Sequence, residues 1–578
     1  MKPVVYQLFP RLFGNNCQPQ AIGGTLQENG CGKFKDITTK ALKELSGLGA
    51  THVWYTGVLS HATCTDYSDY GLPSSHPLIT KGRAGSPYAI RDYYDVDPDL
   101  AEDPARRLDE FKSLVNRTHK AGLKVIIDFV ANHVARQYRS TLKPPEVSDL
   151  GENDNRELAF SPLNDFYYLP GQTFFPPEFA EPFGPDIPVD VDPLSYSENP
   201  ARVTGNDCLN PRPSLSDWYD TVKLNYGYDI FSGQEHYDPM PPLWKKMTNI
   251  LLYWASMGVD GFRCDMAGMV PIPFWKYAIA EVRKKYPQTV FIAEIYEPWR
   301  YAEFVQAGFD YLYDKEGLYN ALRDILQWGH PASRLSDHWK SLQGLDDHML
   351  RFMETHDEIR LASPYFLGDP YRAVPGMLVT ACMNKGPVMI YNGQEVGEPA
   401  VGASGFSGDD GRTSIFDYTC MPALQQWVNG GKFDGKLLSE SQKHLRNFYK
   451  DLLSLAHRPA VSSGRFYDLM WVNQHHPAPD PSRIFAWLRH SQEEILLFIA
   501  NFDAEHTHHF RLFIPLHAFG VLNLDVNDDF QLTPVLLFPS FDQDVVKFKG
   551  YLAAYDGIEL ALPPSSASVF FINRDEHK

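Results

Sequence analysis

Eight short apolar runs, separated by stretches of helical periodicity, set the tightest limit on how this chain can fold. Residues 4–9, stopped by Pro10, read as the first strand, and residues 52–55, 124–129 and 258–265 as the next three. Four more follow at 289–293, 309–313, 349–353 and 387–391. Between them, apolar residues recur at helical spacing, as with Leu108, Phe111, Leu114 and Val115 in a helix expected over 103–121. Further helices are expected over 242–257, 272–286, 318–328, 373–385 and 440–457, and one capped by Asp36 that runs to Leu48. Parallel strands joined by helical crossovers twist with one hand, so eight such units close into a (β/α)8 barrel of the TIM type.

The rhythm breaks twice. From Val134 to about residue 237 proline is dense, including Pro182, Pro185, Pro188 and Pro193, and no clean period survives. A stretch this long inside a compact domain is an inserted unit rather than a loop. Beyond residue 461 the helical spacing stops, and runs such as 484–488, 495–499, 509–513 and 569–572 alternate with turns and no strong helix between them. They read as an antiparallel β-sandwich. The expected organisation is therefore a barrel over 1–133 and 238–461, an inserted domain B over 134–237 and a C-terminal domain over 462–578.

Charge narrows the partners. With 53 basic and 72 acidic residues the net charge is −19, which disfavours nucleic acid and anionic membranes, because both need a positive face. The seven cysteines form no C-x-x-C pair, so neither a zinc site nor a redox motif is indicated, and a reducing compartment is the simplest setting. The first residues contain no long apolar segment, so the expected location is the cytoplasm. Oligomeric state is not legible. The expected partner is a neutral small molecule or polymer, and the 36 Phe, 31 Tyr and 11 Trp could supply stacking surfaces for sugars as well as a core.

In a barrel of this kind, polar residues at the C-terminal ends of the strands meet at one mouth. The third strand ends in Asp128, Asn132 and His133; the fourth in Arg263 and Asp265; the fifth in Glu294; the seventh in His356 and Asp357. Arg263 and Asp265, two apart, share a strand face. The cation favours an ionised Asp265, suited to a carboxylate nucleophile. Glu294, among Ile292, Ala293 and Ile295 and near other acids, is expected to have a raised pKa, as an acid/base needs. Retaining glycoside hydrolysis uses such a pair at about 5–5.5 Å, a spacing that neighbouring strands about 4.8 Å apart can supply.

Five motifs carry a resemblance to the alpha-amylase family of glycoside hydrolases, family 13. Asp128 to His133 resembles its first conserved region, Gly261 to Asp265 the second, Phe291 to Glu294 the third and Phe352 to Asp357 the fourth, with Thr355 where Asn is usual. Tyr391 to Glu395 is similar to the turn after the family's eighth strand. The resemblance implies Asp265 as nucleophile, Glu294 as acid/base and Asp357 as transition-state stabiliser, with Tyr88, His133, Arg263 and His356 binding the sugar. It implies an α-1,4-glucan or maltooligosaccharide substrate cleaved by double displacement. A transglycosylase on the same scaffold needs the same three carboxylates, and a non-catalytic glucan-binding member would be expected to have lost some of them. The family's calcium enters only through Asn132, which keeps the position of one ligand. Lys223 stands where the family has an acid, and Gly268-Met269 where many members have Lys-His, so no cofactor is certain. Ala89, where exo-acting glucosidases of the family tend to carry Asp, leans toward endo action.

Overall fold

Eight parallel strands form a single sheet in the order β7-β6-β5-β4-β3-β2-β1-β8. These are β1 (Val4–Leu8), β2 (His52–Tyr55), β3 (Lys124–Val130), β4 (Gly261–Asp265), β5 (Val290–Ala293), β6 (Tyr311–Tyr313), β7 (Met349–Leu350) and β8 (Val388–Tyr391). A parallel bridge from Arg351 to Val388 joins β7 to β8 and closes the barrel. The computed structural model describes residues 2–18, 20–177, 195–402, 405–475, 479–541 and 545–575. The barrel expected from the sequence is present, although β6 and β7 are shorter than the apolar runs suggested. β7 pairs with β6 through Met349 and Leu350, and Arg351, the one charged residue of that run, bridges to β8.

Side-chain alternation sorts the strands into two cores. Val5, Trp54, Ile126, Ile292, Leu350 and Met389 form one buried cluster inside the barrel. Val4, Tyr6, Val53, Val125, Ile127, Phe262 and Phe291 belong to the other, packed under the helices. Each buried aliphatic side chain contributes about 1.5–3 kcal/mol. Gly261 is needed at the start of β4, because a Cβ there would lie 2.9 Å from the Val290 carbonyl oxygen. The helix expected to start at Asp36 instead spans Thr39–Leu48, with Thr38 accepting from the Ala41 amide, while Asp36 accepts from the Lys33 amide. Gly49 ends it in a left-handed conformation, as its φ of 114° requires.

Between β3 and β4 the chain makes short two-stranded ladders. His133–Ala135 pairs with Thr221–Lys223, and Tyr168–Leu169 with Ala201–Arg202. Ile79 packs with Tyr167, Leu169, Phe174, Ala201 and Val203 in a small separate core. Residues 178–194 of this stretch, with the four prolines noted above, lie outside the described residues. The C-terminal part is an antiparallel six-stranded sheet running from Arg465–Asp468 to Ser566–Arg574, with a two-stranded ladder of His508–Leu512 and Ile558–Leu562. Three short helices, Met470–Asn473, Leu516–Leu522 and Gly550–Tyr555, lie between its strands, in keeping with the expectation of no strong helix there. At four, seven and six residues they are too short for a periodic signal to stand out.

Candidate active site

Alternation along β3, β4 and β5 aims Asp128, Arg263, Asp265 and Glu294 into the barrel mouth. Cross-strand register sets Arg263 beside Asp128 on one side and Ile292 on the other. The Arg263 guanidinium, 1% exposed, then serves three carboxylates at once. Nη1 lies 2.8 Å from Asp265 Oδ1 and 3.2 Å from Asp128 Oδ1, and Nη2 lies 2.7 Å from Glu294 Oε2. Its Nε donates to the Tyr313 hydroxyl at 3.2 Å, and the rings of Trp54, Tyr88 and Tyr313 stand 5.2–5.5 Å from it. Water is therefore kept away from the guanidinium, which strengthens its interaction with the acids.

Glu294 is gripped on one oxygen and offered on the other. Oε2 accepts from the Met266 amide at 2.8 Å and forms an ion pair with Arg263, while Oε1 accepts from the Tyr296 hydroxyl at 2.5 Å. Met266 achieves this with a φ of 43°, a left-handed conformation that costs a non-glycine residue about 1–2 kcal/mol. His356 is held on both ring nitrogens: Nδ1 meets Gln7 Nε2 at 2.7 Å, and Nε2 meets the Tyr88 hydroxyl and, at 3.0 Å, Asp357 Oδ2. The Tyr88 and His356 rings stack at 5.3 Å. Burial, then the Arg263 charge, holds His356 well below the usual imidazole range, so it is neutral. His133, 5.1 Å from the Trp218 ring, is lowered to about 3 by burial and by Lys223 and Lys81.

The electrostatics depart from the sequence expectation. Burial, with Glu294 next, pushes Asp265 well above the carboxylate range despite Arg263. Burial, again with Glu294 next, raises Asp357 from 3.8 to about 7. Reading along one strand assigned the arginine to Asp265 alone, whereas the fold divides it among three acids. Burial and mutual repulsion thus raise Asp265 and Asp357 together, and in such a crowded cluster a proton belongs to the set rather than to one member.

This has a consequence for stability. A carboxyl whose folded pKa is raised takes up protons on folding, so its favourable contribution is complete below pH 4 and is lost as pH rises toward about 7. Asp357→Asn removes that charge. The variant is expected to melt several degrees above the parent at pH 8, with the gap closing at pH 4.5, as measured by calorimetry at both pH values. An equal shift at both would remove the Asp357 charge as its cause.

A cavity of about 790 Å3 opens over this cluster. Its lining includes Asp265, Glu294, Asp357, Tyr88 and His133, together with Tyr296 and Trp218, which sequence reading missed. Tyr296 was findable, two residues after Glu294 and so on the same side of an extended chain. Gln7 and Trp54 sit at strand ends but look like ordinary core in the sequence. Trp54 Nε1 donates to Asp128 at 3.1 Å. A Cβ at Gly268 would fall 2.6 Å from Glu297 Oε2, the end of a half-buried side chain that would have to move aside.

The corner around Asn132 does not fit a calcium ion. Asn132 Oδ1 is buried without a hydrogen-bond partner, which leaves one oxygen free, but its Nδ2 donates to the Gly205 carbonyl at 2.7 Å. Lys223, cross-strand from His133, brings a buried ammonium 2.9 Å from Asp207 Oδ1. A hard dication wants several oxygens, most of them anionic, and here the Lys223 ammonium already takes the Asp207 carboxylate. Among the described residues no group of three or more His, Cys, Asp or Glu side chains is arranged to hold a metal.

Fold and site together define a β/α-barrel with clustered carboxylates and aromatic walls at its C-terminal mouth, the arrangement of barrel glycoside hydrolases. The alpha-amylase catalytic-domain profile matches residues 7–416, and the chain belongs to the alpha-amylase family, glycoside hydrolase family 13. It is 23% identical over 512 residues to the alpha-amylase MalA of Haloarcula japonica, covering 87% of this chain and 56% of that protein. It is 29% identical over 207 residues to an alpha-1,4-glucan:maltose-1-phosphate maltosyltransferase of Pseudomonas aeruginosa, covering 33% of this chain and 29% of that one. The chain thus spans about half, or less, of the length of these curated relatives. The crystal structure of the maltogenic alpha-amylase AmyB from Thermotoga neapolitana superposes with a TM-score of 0.60 at 20% identity, over 99% of both chains.

Proposed function

We propose that this protein is a retaining glycosidase that cleaves α-1,4-glucosidic bonds in starch- or glycogen-derived glucans and maltooligosaccharides. The observation that carries the reading is Arg263, which brings Asp265 and Glu294 onto one guanidinium beside Asp357. Carboxylates so close suit direct attack by one of them, because inversion needs room for a water between the pair. In the first step an Asp265 oxygen attacks the anomeric carbon. The bond from that carbon to the leaving oxygen breaks, and the Glu294 carboxyl gives its proton to that oxygen. In the second step Glu294, now a carboxylate, takes a proton from water. The water oxygen attacks the same carbon, the ester to Asp265 breaks, and the original α configuration returns.

Asp357, beside His356, accepts from sugar hydroxyls and opposes the positive charge that develops on the ring. Tyr88, stacked on His356, presents a ring face to the sugar, while neutral His133 and His356 hydrogen-bond to hydroxyls. Transfer to a second sugar is the other reading, and the similarity to the maltosyltransferase favours keeping it in view. There a sugar hydroxyl replaces water in the second step, with no change in the residues used. No divalent metal is assigned a role.

Incubation with maltoheptaose, with products resolved over time, separates these readings. Hydrolysis gives shorter maltooligosaccharides only, whereas transfer gives products longer than the substrate. A protein that leaves maltoheptaose intact is not a glycosidase of this kind. After exhaustive chelation the rate is expected to stay within about twofold of the untreated value. A loss restored by added calcium would overturn the metal-free reading.

A further inference from the structure

Lys81 and Asp220 belong to neither the carboxylate cluster nor the residues that resemblance to the family singles out, yet both line the same cavity. Asp220 is 2% exposed, and Lys81 Nζ lies 3.5 Å from its Oδ1. That separation makes an ion pair but a poor hydrogen bond, and Asp220 Oδ1 has no hydrogen-bond partner. A buried carboxylate oxygen left so is costly, and a ligand hydroxyl would satisfy it. The ammonium also stands 5.4 Å from the Tyr219 ring centroid and 6.0 Å from that of Phe416.

Both residues are held by rigid backbone. Arg136 fixes the Asp220 segment, its amide donating to the Asp220 carbonyl at 3.1 Å and its Nε to the Tyr219 carbonyl at 2.6 Å. On the Lys81 side, the Ala84 and Gly85 amides both donate to the Phe416 carbonyl, at 2.9 and 3.1 Å. Arg83 Nε reaches the Gly23 carbonyl at 3.0 Å, and Arg11 reaches the Ile415 carbonyl at 2.8 Å. The loops after β1, β2 and β8 are thereby tied into one wall.

Strand order says which end of the substrate this wall faces. In the closed order, β1 stands four places from β5 in either direction, so β8, β1 and β2 lie across the barrel from Glu294. An acid/base serves the leaving oxygen, so the leaving group lies on the Glu294 side and the wall that carries Lys81 meets the other, glycone side, where Asp220, from the insertion after β3, pairs with Lys81.

We propose that Lys81 and Asp220 form a sugar-recognition pair at the glycone end of the cavity, binding hydroxyls of the units on the non-reducing side of the cleaved bond. An ammonium has donors only and an ionised carboxylate acceptors only, while a sugar diol has both. One hydroxyl donates to Asp220 Oδ1 and its neighbour accepts from Lys81 Nζ, bridging the gap that the two side chains leave. The wall behind them limits the number of glycone units, so the pair sets the length of the sugar released. This assignment rests on the glucan-cleaving reading above.

The test uses Lys81→Met, Asp220→Asn and Lys81→Arg in the full chain, with maltoheptaose as substrate and maltotriose as binding probe. Loss of one charge-assisted hydrogen bond is expected to raise KM by about tenfold in the first two variants. Their kcat should stay within about threefold, and Lys81→Arg should recover part of the loss. Calorimetric titration with maltotriose should show the same weakening, and the product ladder should shift in length. Melting temperatures identify a variant that fails to fold; if Lys81→Met does, Asp220→Asn and Lys81→Arg carry the test. A parent that cleaves maltoheptaose, with variants of unchanged KM, affinity and products, overturns this pair alone. A parent that neither binds nor cleaves maltooligosaccharides overturns the functional reading and this pair with it.

Discussion

Asp265→Asn is expected to lower kcat for maltoheptaose by on the order of 10^4-fold or more, with KM changed far less. The amide keeps the shape of the side chain, so Arg263 Nη1 can still donate to its oxygen, which lies 2.8 Å away in the parent. What it lacks is the negative charge and the ability to form an ester with the anomeric carbon. Removing one charge from an overcrowded cluster also relieves repulsion on Glu294 and Asp357, which raise the Asp265 pKa in the parent. The dead variant should therefore be at least as stable as the active protein, a pattern that separates a lost nucleophile from a damaged fold. Mass spectrometry of the denatured parent, quenched with an activated fluorosugar, should add one sugar mass, located on the peptide bearing Asp265. Near-parental turnover by the variant, or a label elsewhere, would sink this assignment.

Glu294→Gln separates the two carboxyl roles by the leaving group. For maltoheptaose the leaving oxygen needs a proton, and general-acid help is worth about 10^2–10^4-fold, so a loss in that range is expected. With a glycosyl fluoride or a 4-nitrophenyl glycoside as donor, the leaving group departs without a proton. Formation of the covalent intermediate should then be nearly as fast as in the parent, and its hydrolysis should be slow for want of a base. The expected signature is a burst followed by a slow steady state, read by stopped-flow absorbance. Equal losses on both substrates would mean that Glu294 positions the sugar rather than moving a proton. The side chain's two oxygens make the first outcome the expected one, since Oε2 is bound to Arg263 and the Met266 amide while Oε1 meets only the Tyr296 hydroxyl.

Much of the barrel was legible because its signal is local. Each strand announces itself by a short apolar run, each helix by its spacing, and chirality leaves few ways to join eight of them. Asp128, Arg263, Asp265 and Glu294 could be placed at strand ends for the same reason. The misreading fell where local pattern is weak, at the helix cap, which is Thr38 rather than Asp36. Gln7 and Trp54 escaped notice because a polar or aromatic residue at the end of a buried strand has no mark in the sequence to separate a site contact from core.

The amino-acid order alone settles which carboxylates reach the barrel mouth, since period-two alternation along β4 puts Arg263 and Asp265 on one face whatever surrounds them. It does not settle how their charges are shared. That depends on distances between side chains 31 and 135 positions apart in the chain, from Arg263 to Glu294 and to Asp128, which exist only once the strands are in register. The same holds for Lys81 and Asp220, 139 residues apart and joined only where the loops above the barrel meet. Coulomb energy and desolvation follow separation in space, so the fold decides how the cluster shares its charge.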